Sequence, residues 1–287
     1  MKENKSPIGI ICGGGNVPLQ MIEHLEKQKK DFFLVCLKGS ADPKTISKKY
    51  PQIWIRLGAA GTAIKTLKKE GIKEIVFAGS VQRPDWTSLI PDAYTLKVIL
   101  TKGLGSKSTD QLLKALMKHI ESEGFKIIPT QNMLPDALLK KGIYGHTKMT
   151  KEAENDIEYG IQVAYCVGLC DAGQCAVVQQ GVALALEGED GTNETIKRSG
   201  LLKKKGSKPI LVKLPKPNQE KKIDLPGIGL KTALTAAEAG IQGIVLLENG
   251  ALISDKEEFL NVCKQNKIFI KVITQKDYDQ ITKKLSS

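Results

Sequence analysis

Short, almost wholly apolar runs recur through the first half of the chain, each separated from the next by a stretch whose apolar positions have helical spacing. This alternation restricts the fold more than any other feature. Residues 8–12, 31–37, 74–78 and 126–128 read as strands without polar alternation, the pattern of strands covered on both faces. Residues 18–30, 61–70 and 108–123 read as the helices that cover them. Strand–helix–strand units in series predict a parallel sheet, so the fold class is α/β with a Rossmann-like N-terminal domain.

The second half begins a new unit. Residues 151–169 form one long amphipathic stretch, and 176–179 and 182–186 read as two strands joined by a tight turn at Gln180-Gly181. A strand at 210–214, a helix at 230–239, a hairpin of 244–247 with 251–254 turning at Asn249-Gly250, a helix at 256–266 and a strand at 268–273 follow. Between 135 and 150 the apolar period fades and Gly142 and Gly145 enter, which suits a connection. The expected organisation is an N-terminal Rossmann-like domain over 1–134, a linker over 135–150 and a C-terminal catalytic α/β domain over 151–287, with a cleft between the domains.

Composition excludes several classes. The chain has 287 residues, 41% of them hydrophobic and 26% charged, which is enough apolar material for two cores. The polar start at Met1 to Pro7 carries no export signal, and no apolar run approaches the length of a membrane span, so the expected location is cytoplasmic. Six cysteines in such a chain read as free thiols, and the Cys166, Cys170, Cys175 group has no histidine near it and no zinc spacing. The formal net charge of +12 invites a nucleic-acid partner. Its lysines, however, lie on helices between apolar positions, and no aromatic-studded sheet motif accompanies them, so no nucleic-acid partner is expected. The same charge suits peripheral contact with an anionic membrane face.

Chemistry-bearing residues cluster in loops after strands. Gly13-Gly14-Gly15-Asn16-Val17-Pro18 follows the first strand and leads into a helix, where backbone N–H groups and the helix N-terminus favour a phosphate. No acid stands at the end of the second strand to hold a ribose, since Leu37-Lys38-Gly39 follows, which disfavours NAD. Gly79-Ser80-Val81-Gln82-Arg83-Pro84 ends a later strand and should face the same opening, with Arg83 able to pair with phosphate. In the second half, Lys213 to Gly229 runs from a strand end into a helix, stiffened by three prolines, and carries Asp224. Further acids, Asp156, Asp171, Glu187, Glu189 and Asp190, stand near element ends beside Gln174, Gln180 and Gly181. Carboxylates converging in one cleft would suit Mg²⁺, which takes oxygen ligands and bridges substrate phosphates. Asp224, Asp156 and Glu187 are the expected ligands.

Taken together these stretches, with Asp156-Ile157-Glu158-Tyr159-Gly160 and Asp171-Ala172-Gly173-Gln174-Cys175-Ala176-Val177-Val178, resemble the LpxI family, the UDP-2,3-diacylglucosamine pyrophosphatases of lipid A biosynthesis. The likeness covers nearly the whole chain, and its most specific part is Lys213 through Gly229, for its ending Asp224-Leu225-Pro226-Gly227-Ile228-Gly229. It implies a Mg²⁺-dependent hydrolase that splits UDP-2,3-diacylglucosamine into 2,3-diacylglucosamine 1-phosphate and UMP, with Asp224 as the catalytic aspartate. The expected substrate contacts are Gly14, Gly15, Asn16, Val17, Gly79, Ser80, Val81, Arg83, Asp110, Gln180, Gly181 and Lys213. Two positions depart from the family pattern, Thr109 and Asn193, each standing where an aspartate is usual. Other readings are a hydrolase of a different nucleotide sugar and a non-catalytic nucleotide-sugar or lipid-binding protein. A homodimer is expected from the prevalence of such assemblies.

Overall fold

The computed structural model describes residues 6–81, 90–102, 109–146, 148–217 and 225–285, without the side chains of 98–102 and 109–114. The chain divides into two compact units, the first ending at Pro135 and the second beginning at Asp136.

The first unit holds a five-stranded, wholly parallel sheet of β1 (Ile8–Cys12), β2 (Phe32–Leu37), β3 (Gln52–Ile55), β4 (Glu74–Ala78) and β5 (Lys126–Ile128). Its order is β3-β2-β1-β4-β5, the Rossmann order without its sixth strand. All six residues of β2 are buried, as the unbroken apolar run requires. On one face α1 (Val17–Lys27) buries Met21, Ile22 and Leu25. Elsewhere α2 (Ala60–Lys69) and α4 (Thr109–Ser122) place Ile64, Leu67, Met117 and Ile120 in a core shared with Phe33, Val35, Ile75 and Ile127. Two further helices are α3 (Ala93–Lys102) and the single turn α5 (Thr130–Met133). The sequence pattern missed β3, whose four residues are mostly half-buried at the sheet edge.

The second unit is a mixed six-stranded sheet of β6 (Gly142–Gly145), β7 (Cys175–Gln179), β8 (Val182–Leu186), β9 (Ile210–Lys213), β11 (Gly243–Leu247) and β13 (Phe269–Ile273), in the order β6-β13-β11-β9-β7-β8. β9, β11 and β13 are parallel, while β6, and β7 against both of its neighbours, run antiparallel. A separate parallel pair joins β10 (Gly227–Gly229) to β12 (Leu252–Ser254). The helix α6 (Lys151–Leu169) lays Ala153, Ile157, Ile161 and Ala164 on one face of the sheet, against Val178, Val212 and Val245. The other face packs against α7 (Gly191–Leu202), α8 (Leu230–Ala239) and α9 (Lys256–Gln265), and α10 (Gln275–Lys283) follows β13. No described helix is long and apolar enough to cross a membrane.

Two expectations are corrected. Residues 142–145, read as part of a connection, form β6, the antiparallel edge strand on β13. Its four residues, two of them glycine, are too few for an apolar period to show. Residues 244–247 and 251–254 do not form a hairpin. The turn exists, with Asn249 at φ 53° and the Gly250 N–H bonded to the Leu247 carbonyl at 2.9 Å. Both edges of β11 are already occupied by β9 and β13, so the strand after the turn leaves the sheet and pairs with β10 instead.

Candidate functional site

In the first unit the strand order reverses between β1 and β4, and ligands of open α/β sheets bind outside the carboxyl ends of strands at such a point. Cys12 and Ala78 are register partners there, so the two glycine-bearing loops emerge side by side. They are laced together: the Gly13 N–H donates to the Ala78 carbonyl (2.8 Å), the Gly14 N–H to the Ser80 carbonyl (2.7 Å) and the Ser80 N–H to the Gly14 carbonyl (3.0 Å).

This lacing explains the glycines. A Cβ at Gly13 would sit inside contact distance of the Ser80 carbonyl, and one at Gly79 would strike the Gly14 carbonyl. Gly13→Ala is therefore expected to cost the first unit about 1–3 kcal/mol, the range of overpacking, measurable by urea unfolding. The N–H groups of Gly13, Gly14 and Ser80 are engaged within the protein, so the phosphate expected at this loop would have to approach at Gly15 and the first turn of α1. Gly15 is exposed, has φ 83° and has open space where a side chain would stand. Asn16 is the N-cap residue, Val17 begins the helix and Pro18 follows. Ser80 is exposed and Val81 is 47% exposed at the same edge. Arg83 lies outside the described residues. Asp110 belongs to the first turn of α4.

In the second unit the carboxyl end of β9 carries Lys213, the root of the long loop that the sequence singles out. Antiparallel pairing brings the start of β7 beside it, with Cys175 opposite Lys213, and the Glu187 N–H bonds the Cys175 carbonyl at 3.0 Å. A buried polar cluster forms. Glu187 Oε2 accepts from the Gln174 N–H (2.7 Å), and Oε1 accepts from the Thr192 hydroxyl (2.6 Å). The Lys213 ammonium donates to Thr192 Oγ1 (2.7 Å) and lies 4.0 Å from Glu187 Oε1. The side chains of Lys213 and Glu187 are 2% and 6% exposed. Burial, then the Glu187 carboxylate, pushes the Cys175 thiol well above its usual range, so it is an inert thiol.

The loop is fastened at both described ends. On one side the Leu214 N–H bonds the Gln174 carbonyl (2.9 Å) and Lys216 pairs with Asp171 (2.6 Å). On the other the Pro226 carbonyl accepts from the Leu252 N–H (2.8 Å), and Gly227–Gly229 continue as β10. Asp224, between these ends, lies outside the described residues.

Two of the three expected metal ligands, Asp156 and Glu187, are not brought together. Asp156 is buried on α6, and its two oxygens accept from the Gln180 and Gly181 N–H groups at 2.8 Å each. It holds the β7–β8 turn, whose residues take the positive φ values 52° and 72° of a two-residue hairpin. Gln180 and Gly181 are thus turn residues at the far end of β7 from Cys175. Glu187 sits at the near end, about 16 Å away for a five-residue strand. One Mg²⁺ with ligands near 2.1 Å cannot reach both, and both carboxylates are already engaged. Among the described residues no group of three or more His, Cys, Asp or Glu side chains could hold a metal ion. Sequence reasoning missed Thr192 at the centre of the cluster. A threonine after a glycine at a helix start reads as a capping residue, and only the pairing of β7 with β9 brings it to Lys213.

Comparison with known proteins supports one family across the chain. A family model described as the LpxI N-terminal domain matches residues 7–137, and one described as the LpxI C-terminal domain matches residues 140–271. A relative from Caulobacter vibrioides, named UDP-2,3-diacylglucosamine pyrophosphatase LpxI, is 34% identical over 270 residues, covering 92% of this chain and 96% of that protein. Among solved structures, CobK precorrin-6A reductase aligns with 10% identity over 93% of this chain and 88% of that one, at a TM-score of 0.35, too low a likeness to bear on fold or function. The matches to both halves and the near full-length relative show that the chain belongs to the LpxI family.

Proposed function

We propose that the protein hydrolyses the pyrophosphate of UDP-2,3-diacylglucosamine, releasing UMP and 2,3-diacylglucosamine 1-phosphate for lipid A biosynthesis. The observation that carries this reading is the 34% identity, over almost the full length of both chains, with a protein named for that activity. Charge development on a pyrophosphate calls for donors at its oxygens, a cation and a carboxylate near the attacking water. In the first unit Gly15 to Val17 at the start of α1 and the Ser80 hydroxyl offer donors for phosphate oxygens; in the second unit Lys213 offers positive charge and Asp224 a carboxylate. Mg²⁺ dependence is part of the proposal, with the ion held by Asp224 and the substrate's own phosphates, because Asp156 and Glu187 stand at opposite ends of β7 and cannot share one ion. The net charge of +12 favours collection of an acylated substrate from an anionic cytoplasmic membrane face.

The test compares UMP release from UDP-2,3-diacylglucosamine with release from the unacylated UDP-N-acetylglucosamine. Binding energy from the acyl chains should favour the lipid by about a hundredfold or more in kcat/KM. Equal or faster turnover of the soluble nucleotide sugar would assign the protein to a different substrate.

A further inference from the structure

We infer that Glu187 and Thr192 are positioning residues that orient the Lys213 ammonium toward the pyrophosphate, and that Glu187 is not a metal ligand. The inference rests on the proposed hydrolysis and assigns a task to a cluster that the sequence reading divided between metal and substrate. Its direction follows from proton counting. An ammonium group can only donate and a carboxylate can only accept, whereas a threonine hydroxyl has one proton and free lone pairs. With Lys213 Nζ 2.7 Å from Thr192 Oγ1 and Glu187 Oε1 2.6 Å from the same oxygen, the hydroxyl proton must point to Glu187 and its lone pair to Lys213. The chain ammonium–hydroxyl–carboxylate therefore has a single polarity.

That chain fixes the lysine. Its side chain is 2% exposed at the last residue of β9, and one of its three N–H groups is directed to Thr192. The others are set in direction by that bond, and in this reading they meet the phosphate oxygens. The Glu187 carboxylate 4.0 Å away is the opposite charge that accompanies the buried ammonium. Glu187 is itself held by the Gln174 N–H at 2.7 Å, so the anchor is tied to the backbone just before β7. A Mg²⁺ at Glu187 would have to share its oxygens with the Thr192 hydroxyl and the Gln174 N–H, at 2.6 and 2.7 Å.

The test uses the full-length variants Thr192→Val, Thr192→Ser and Glu187→Gln, with thermal melting to establish folding. UMP binding is measured by calorimetry without turnover, kcat/KM is measured with UDP-2,3-diacylglucosamine, and both are repeated across a Mg²⁺ series. A charge-assisted bond lost at Lys213 should weaken UMP binding and lower kcat/KM by about tenfold or more in Thr192→Val and Glu187→Gln. Thr192→Ser, which keeps the hydroxyl, should restore both to within about threefold of the parent. The Mg²⁺ concentration for half-maximal activity should stay the same in all three. A raised Mg²⁺ requirement in Glu187→Gln would overturn the inference in favour of a metal ligand. Unchanged UMP binding and kcat/KM in folded Thr192→Val would overturn it outright, as would a serine variant no better than valine. If Glu187→Gln does not fold, the valine and serine pair decides by itself. Absence of UMP release by the parent protein would instead remove the hydrolase reading, and with it the task assigned to Lys213.

Discussion

Asp156→Ala is expected to lower the melting temperature of the second unit by about 10 °C without altering the Mg²⁺ requirement of the protein that remains folded. The carboxylate is 2% exposed and accepts two backbone N–H groups at 2.8 Å each. Those donors belong to Gln180 and Gly181, both in the left-handed region, and the turn they make closes the β7–β8 hairpin at the edge of the sheet. Bonds to a charged acceptor contribute about 1.5–3 kcal/mol each, and two donors stranded without one cost at least about 3 kcal/mol together. For a unit of this size about 2–4 °C accompanies each kcal/mol. Scanning calorimetry of the parent and variant in EDTA and in Mg²⁺ checks both parts. A metal ligand would show the opposite pattern, with little change in EDTA and a loss confined to the Mg²⁺-loaded protein.

Asp224→Asn carries the largest expected effect on activity. Removing the carboxylate proposed to orient water or ion at the pyrophosphate should lower kcat by about a hundredfold to a thousandfold, comparable with loss of a principal electrostatic contributor. Melting should be unaffected. The strand that follows is secured independently of Asp224, through the Pro226 carbonyl bond to the Leu252 N–H and the register of Gly227–Gly229 with Leu252–Ser254. Ile228 is buried in the core beside Ala251 and Ile253, and it anchors the end of the Asp-Leu-Pro-Gly-Ile-Gly stretch. A variant that loses activity together with ten degrees of melting temperature would point to a structural aspartate.

Periodicity made the first sheet legible. A run such as Phe32–Leu37, with six apolar side chains and no alternation, is stable only when covered on both faces, and the structure buries all six. The Gln180-Gly181 turn was legible because two residues of that type between apolar strands select a two-residue hairpin. What spacing could not convey was which end of a strand a residue would occupy. Asp156 and Glu187 are both acids near element ends, yet one caps the turn beyond Gln179 and the other sits across from Cys175. The error at Asn249-Gly250 has a related cause. Turn chemistry is local, whereas the vacancy of a strand edge depends on partners as distant as Phe269–Ile273, which already flank β11. Thr192 was illegible for the same reason, since its neighbours in the cluster come from β9 and from the end of β8.

The most direct measurement is UMP release from UDP-2,3-diacylglucosamine by the purified full-length protein, in Mg²⁺ and in EDTA, beside Asp224→Asn. Release that requires Mg²⁺ and falls by two orders of magnitude or more in the variant is the expected result. A folded parent protein that binds the nucleotide lipid yet yields no UMP in either buffer would contradict the hydrolase assignment and leave a binding protein in its place.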